Sequence, residues 1–386
     1  MNLLSSQITA EGCSKAAIII LSLILVYHLR HGSVEQSSVI EYSGLMPDAS
    51  DEISRKTEEN VNSQNSQKFR LKNLQQNCQK YYNPYKAKVC STSNFKNILN
   101  PIAVDCKKEG RETNTWWSYD WLADPVKKLA ICMPPKAGCT TWQRFYQAIE
   151  NLDSKFLNGT DADVIFNLTP RLSKFDNSGQ YKFLKDDNEA VFKVLHSRHP
   201  FERLYSGWRD KFVNQKVIFM NLYGNQIKNF LIDDDWEDEK ENSFNPAVPF
   251  VSFLRYINNT EMSKINNHFK PISFFCSPCE VNFTYISDMT TINSDMFNVF
   301  EKVVNRASNE DQNLNQNLPE IEFFEKIKDL GNKNLLKNLR PYSERSAVKD
   351  IYRKIDEREP GLVRGIYDRY KWDFVLMGYS VDGYMS

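Results

Sequence analysis

Residues 133–145, MPPKAGCTTWQRF, gather a lysine, a glycine and two threonine hydroxyls at the start of an amphipathic run. A glycine-bearing turn that enters a helix aims several backbone N–H groups at one spot, and the helix dipole adds positive potential there. Lys136 brings a full charge to that spot, Thr140 and Thr141 bring hydroxyl donors, and the backbone of Pro135, Ala137, Gly138 and Cys139 completes an anion cradle. The order is not that of a nucleoside-triphosphate loop, which needs glycine, then lysine, then a serine or threonine for magnesium. Here Lys136 precedes Gly138, and Ala137 stands where the magnesium-holding hydroxyl belongs. The chemistry that fits is an anion held without a metal; a plain turn with a surface lysine is the alternative.

A second loop has the same character. In SRHPFERLYSGWRDKF, Arg198 stands at the edge of a helical run and Ser206 two turns into it. A guanidinium binds a phosphate through two charge-assisted hydrogen bonds, and a nearby serine adds a donor. An ion pair of Arg198 with Glu202 or Asp210, and a packing role for a small Ser206, are the alternatives. Two anion sites in one cleft suit a nucleotide phosphorylated at both ends.

Both loops need a frame. KKLAICMPP and AVFKVLHS (190–197) read as short apolar strands. TTWQRFYQAIENL follows the first with Trp142, Phe145, Tyr146, Ile149 and Leu152 at helical spacing and Thr140 or Thr141 as N-cap. The second is followed by a helix with Pro200 in its first turn and Phe201, Leu204, Tyr205, Trp208 and Phe212 as its buried stripe. Strand, loop, helix, repeated, predicts an α/β domain with a central parallel sheet flanked by helices. Ligands in such sheets lie at the carboxyl ends of the strands, where both loops fall.

PPKAGCTTWQR resembles the 5′-phosphosulfate loop of the membrane-bound carbohydrate sulfotransferases, and SRHPFERLYSGWRDKF their 3′-phosphate motif. RLKNLQQNCQKY, NHFKPISFFCSPCEVNFTYI and RYKWDFVLMGY resemble further segments of the chondroitin and dermatan 4-O-sulfotransferase group, in the same order. The resemblance runs from about Phe69 to Tyr379. It implies a P-loop-like sulfotransferase domain that uses 3′-phosphoadenosine-5′-phosphosulfate, without a metal, to sulfate a hydroxyl of a glycosaminoglycan-type glycan. Lys136 would meet the bridging oxygen, Ala137 to Thr141 the 5′-phosphate, and Arg198 and Ser206 the 3′-phosphate. His268, in the matched His-Phe-Lys-Pro segment, is the candidate general base; a packing or capping role is its alternative. Lys270 and Arg255 are candidates for acceptor binding. Two departures stand out: His199 replaces an acidic residue, which would make phosphate binding pH-sensitive, and Gly207 replaces an alanine. A nucleotide kinase and a catalytically inactive glycan-binding protein of the same fold remain the competing readings.

Composition fits this picture. The 386 residues include 24 Phe, 18 Tyr and 7 Trp, enough for a large core, and the net charge of zero gives no case for nucleic acid as a partner. The apolar run Ala16 to Tyr27 reads as an uncleaved signal anchor over 16–29, after a cytoplasmic tail of 1–15. The polar stretch 30–68 reads as a disordered stem and 69–382 as the lumenal domain, a single-pass type II arrangement in the Golgi membrane. Asn158, Asn167, Asn258 and Asn282 open N-glycosylation sequons. Seven cysteines follow the anchor, so at least one is free or pairs between chains, and Cys276-Ser-Pro-Cys279 is expected to enter a structural disulfide rather than a zinc site. The acidic run DDDWEDEKE reads as a solvated loop, and the closing WDFVLMGYS as a strand.

Overall fold

The computed structural model describes residues 66–91, 121–149, 167–175, 179, 183–184, 191–214, 216–232, 248–310 and 342–385. The expected anchor 16–29 and the rest of the chain up to residue 65, the acidic run 233–241 and Asn158 lie outside them. Among the described residues no helix is long and apolar enough to cross a membrane. Residues 66–68, at the end of the expected stem, are helical.

The runs LAIC and FKVLHS lack a polar face, as strands covered on both sides do. They form β2 (Leu129–Cys132) and β3 (Phe192–Ser197), every residue buried. β2 and β3 pair in parallel with Ile131 opposite Val194, and β3 pairs in parallel with β4 (Tyr285–Asp288). The sheet is mixed rather than wholly parallel. At its edge β1 (Trp121–Asp124) runs antiparallel to β2 in the order β1-β2-β3-β4. The cause is a tight turn after Asp124, whose carboxylate accepts from the Val126 and Lys127 amides at 2.8 and 3.1 Å.

Side chains alternate across the sheet. Leu122, Leu129, Ile131, Phe192, Val194 and Tyr285 face helices α2 (Cys139–Ile149) and α6 (Ile292–Glu310), meeting Trp142, Phe145, Met296 and Val299. Ala130, Cys132, Leu195 and Ile286 face the other way, onto Ile272 and Phe275 of α5 (Ile272–Cys276). The first helix, α1, begins at 66, passes through a π turn at Cys78–Tyr82 and continues as Asn83–Ser91. A second core joins α3 (Pro200–Trp208) to α4 (Phe250–Asn259), α7 (Tyr342–Arg358) and α8 (Leu362–Met377) through Phe201, Leu204, Trp208, Phe253, Tyr352 and Ile366.

The closing segment is helical, not a strand. Ile366, Tyr370 and Phe374 keep a four-residue step on the buried side of α8, and Gly378 ends the helix at φ 72°. WDFVLM is rich in strand-forming types, but it continues the periodicity of the residues before it.

Among the described residues two disulfides bind distant segments. Cys132 at the end of β2 joins Cys276, and Cys78 of α1 joins Cys279. The Cys-Ser-Pro-Cys pair therefore serves two structural bridges, while Cys139 is a free thiol.

Candidate active site

β2 ends at Cys132, and the chain turns through Met133–Gly138 into α2. The Ala137 amide donates to the Pro134 carbonyl at 3.1 Å, and the Thr141 and Trp142 amides to the Gly138 carbonyl at 3.0 and 3.2 Å. The amides of Gly138, Cys139 and Thr140 are the orphan donors of the first turn, taken by no backbone carbonyl among the described residues. The helix opens at Cys139, so Thr140 and Thr141 lie inside its first turn instead of capping it. Gly138 has φ +94°, and a Cβ there would stand 3.0 Å from Ile292 Cδ1 and 3.1 Å from His196 Nε2 and Met289 Sδ. A side chain there would be strained by the backbone and would press on all three neighbours.

Lys136 also adopts a left-handed backbone, φ 68°, which is uncommon for a residue with a Cβ. Two arginines hold it there. Arg198 Nη1 donates to the Lys136 carbonyl at 2.8 Å, and Arg203 Nε to the Pro135 carbonyl at 2.8 Å. The structure thus brings the two sequence-predicted loops into direct contact. Arg198 Nε is 3.9 Å from Glu202, and Ser206 is buried in the same helix. A guanidinium has five donors, so the loop contact and a phosphate contact are compatible.

The Lys136 ammonium meets Asp210 Oδ2 at 3.1 Å, and Lys211 meets the same oxygen at 3.0 Å. Asp210 and Lys211 lie on the π turn Arg209–Val213 that continues α3. Burial lowers the Lys136 pKa, and Asp210 works against that fall. Burial works to raise the Asp210 carboxyl, but the two lysines outweigh it and hold it below the usual carboxylate range. Lys211 Nζ also sits 4.5 Å over the Phe219 ring.

His268 lies in the same cluster. Burial, then the charges of Lys211 and Lys136, push its pKa down from 6.5 to about 3. Its backbone amide and Nδ1 approach Asn266 Oδ1 at 3.0 and 2.7 Å, and its ring meets Phe219 edge-on at 5.2 Å between centroids. The segment is pinned from several directions. Arg203 Nη1 donates to the Lys270 carbonyl, and Tyr370 Oη to the Phe269 carbonyl. Asp373, wholly buried, accepts from the Ile272 and Ser273 amides at 2.7 Å each, capping α5. The Gly207 departure has a steric cause: a Cβ there would come to 2.8 Å of the Phe269 ring.

The remaining sequence-predicted residues fall elsewhere. Arg255 is committed to Glu359 at 2.7 Å and to the Phe230 carbonyl at 3.0 Å, a structural tie. Lys270 Nζ lies 5.0 Å over Phe274. His199 engages the C-terminal segment: Nε2 donates to the Ser380 carbonyl at 2.9 Å, and the ring stacks on Tyr384 at 4.4 Å. Burial lowers its pKa, so it stays neutral near pH 7 rather than titrating there. Asn167 and Asn282 are exposed, whereas Asn258 is pressed against Gly365, whose Cβ would stand 2.5 Å from its Oδ1.

Sequence reasoning missed Arg203, Asp210, Lys211 and Asn266. Arg203 was legible in one respect: it sits beside Leu204 and four residues before Gly207, inside a stripe that must be buried. An arginine in that place has to find carbonyls.

Residues 119–380 match the profile of the Sulfotransferase family. The chain is 26% identical to human carbohydrate sulfotransferase 9 over 255 residues, 66% of this chain and 51% of that protein. It is 26% identical to zebrafish (Danio rerio) carbohydrate sulfotransferase 14 over 188 residues, 47% of each chain. To carbohydrate sulfotransferase 10 of Xenopus laevis it is 24% identical over 272 residues, 66% of this chain and 65% of that protein. The chain thus spans about half the length of the first two relatives. No solved structure matches.

Proposed function

This chain belongs to the sulfotransferase family, and on that footing we propose that it sulfates a glycan hydroxyl, with 3′-phosphoadenosine-5′-phosphosulfate as donor. One observation carries the reading: Lys136, Arg198 and His268 come together past the carboxyl ends of β2 and β3, two from separate loops and one from a third segment. The donor fits the residues present. The Gly138, Cys139 and Thr140 amides are taken by no backbone carbonyl among the described residues, and the left-handed Gly138 lets the loop pack closely on Ile292, His196 and Met289.

When bound, the donor supplies an activated sulfuryl group on its 5′-phosphate. Pro135 to Thr141 hold that phosphate, and Arg198 with Ser206 hold the 3′-phosphate. Lys136 would meet the bridging oxygen and offset the negative charge that develops there. His268 takes the proton of the acceptor hydroxyl. The rest is positioning, as in phosphoryl transfer.

The acceptor we propose is a chondroitin- or dermatan-type chain, on the strength of the motifs shared with that group. The enzyme would work in the Golgi lumen, anchored through residues 16–29, with N-linked glycans at Asn167 and Asn282. The matched relatives carry three different designations at nearly equal identity, so the acceptor is the first thing to test. Incubation with sulfur-labelled donor and a panel of desulfated glycans should place label on chondroitin or dermatan. Lys136→Ala and Arg198→Ala should each lose at least about two orders of magnitude in transfer, each removing a charge from the reacting site. Donor binding without label on any glycan would favour an inactive binding protein; full activity in both variants would end the mechanism.

A further inference from the structure

The hydrogen bonds around His268 fix which of its nitrogens carries the proton. The backbone N–H of His268 can only donate, and it points at one atom of the Asn266 amide at 3.0 Å. That atom is therefore the amide oxygen. The other end of the amide agrees, its Nδ2 donating to Tyr223 Oη at 3.0 Å. The same Asn266 oxygen stands 2.7 Å from His268 Nδ1. An amide oxygen has two lone pairs and no proton, so Nδ1 must bring an N–H to it. Neutral imidazole carries one proton, which leaves Nε2 with the lone pair.

We infer that Asn266 is a positioning residue for transfer: it holds His268 as the Nδ1–H tautomer, so that Nε2 is the basic nitrogen. This rests on the reading of His268 as the general base. Nε2 takes the hydroxyl proton of the acceptor as the acceptor oxygen bonds sulfur. The bond from sulfur to the 5′-phosphate oxygen breaks, and its electron pair leaves on the phosphate beside Lys136. An asparagine suits the task because it orients the ring without adding charge. The charged groups around His268 are Lys211, Lys136, Asp210 and Arg203; a carboxylate in place of Asn266 would add a fifth and raise the basicity of the ring.

The test uses the full chain labelled with nitrogen-15 histidine, the His268 signal being identified by its loss in His268→Gln. The parent should show a protonated Nδ1, and Asn266→Leu should show Nε2–H or a mixture. Transfer in Asn266→Leu should fall about 10- to 100-fold in kcat, the range known for the orienting partners of metal-ligating histidines, with KM for the donor unchanged. Asn266→Asp should restore Nδ1–H and most of the activity, and move the acid limb of the rate profile to higher pH. If leucine is not accommodated, Asn266→Ser gives the same readouts, since its side chain is too short to reach Nδ1. A protonated Nε2 in the parent would overturn the inference. So would a fully active Asn266→Leu beside an inactive His268→Gln. Full activity in His268→Gln would overturn the base assignment itself.

Discussion

Arg203 holds the Pro135–Lys136 loop, the proposed donor loop, to the His268 segment, and its removal should be felt in both. The guanidinium is 1% exposed and spends Nε on the Pro135 carbonyl and Nη1 on the Lys270 carbonyl. Hydrogen bonds from a charged group contribute about 1.5–3 kcal/mol each. Arg203→Met removes both and leaves two carbonyls short of a donor, while sparing the cost of burying a charge. Two such bonds, less the desolvation that is spared, leave a net cost of about 3–5 kcal/mol. At about 2–4 °C per kcal/mol for a domain of this size, the melting temperature should fall by about 6–20 °C. Arg203→Lys keeps the charge, but a single ammonium cannot serve two carbonyls in the fixed fork geometry, so it should fall between parent and Met variant. Calorimetric binding of adenosine 3′,5′-bisphosphate, measured well below the melt, separates loop disorder from unfolding and should weaken in both variants. An Arg203→Met protein that melts with the parent and binds the bisphosphate equally well would refute the bridging role.

Three further outcomes follow from single positions. Gly138→Ala puts a side chain at φ +94° against three atoms at 3.0–3.1 Å; the left-handed backbone alone costs about 1–2 kcal/mol, so bisphosphate affinity should drop about tenfold, and unchanged affinity would discount the cradle. Gly207→Ala drives a methyl to 2.8 Å of the buried Phe269 ring and should cost about 1–3 kcal/mol of stability, read in a denaturant titration. His268, lowered to about 3, should give no acid limb near 6.5 in kcat/KM, because a base works unprotonated and loses function only as pH falls through its folded pKa. The same shift sets a stability slope: between 6.5 and about 3 the unfolded chain takes a proton that the native ring refuses, so stability falls as pH falls through that window. An acid limb at 6.5 would contradict this placement of the ring.

The sequence disclosed what rests on local chemistry. LAIC and FKVLHS had to be covered strands, and the stripe Phe201–Leu204–Tyr205–Trp208–Phe212 is buried throughout. Lys136, Gly138 and Arg198 were recognisable by type and spacing. What escaped depended on pairing or on distant partners. β1 was hidden because four residues before an Asp-Pro turn carry little signal, and the end of α8 because its apolar residues also suit a strand. Asp210 reads as an ordinary surface acid until the fold sets it 3.1 Å from Lys136. Asn266 reads as one more asparagine in an asparagine-rich chain until its oxygen is found to serve two donors of one histidine. The C-terminal pattern of Tyr370, Asp373 and Tyr379 was visible as a motif without a reason. Its reason is that these side chains tie α8 to the Phe269 carbonyl, to the start of α5, and to Ser197 and Asp288 at the ends of β3 and β4.

Helix α3 and the π turn after it touch both halves of the candidate site. On a helix, residues four apart are neighbours on one face. Arg203, Gly207 and Lys211 form one such stripe, and each touches the His268 side: Arg203 the Lys270 carbonyl, Gly207 the Phe269 ring, and Lys211 the Phe219 ring that His268 meets edge-on. Glu202, Ser206 and Asp210 form the adjacent stripe and turn toward the donor side, with Glu202 near Arg198 and Asp210 on Lys136. Both stripes run into the π turn Arg209–Val213, where Lys211 Nζ lies 3.0 Å from Asp210 Oδ2 while the two side chains also reach Phe219 and Lys136. A displacement of α3 would therefore act on the Pro135–Lys136 loop through Arg203 and Asp210, and on the segment around His268 through Arg203 and Lys211.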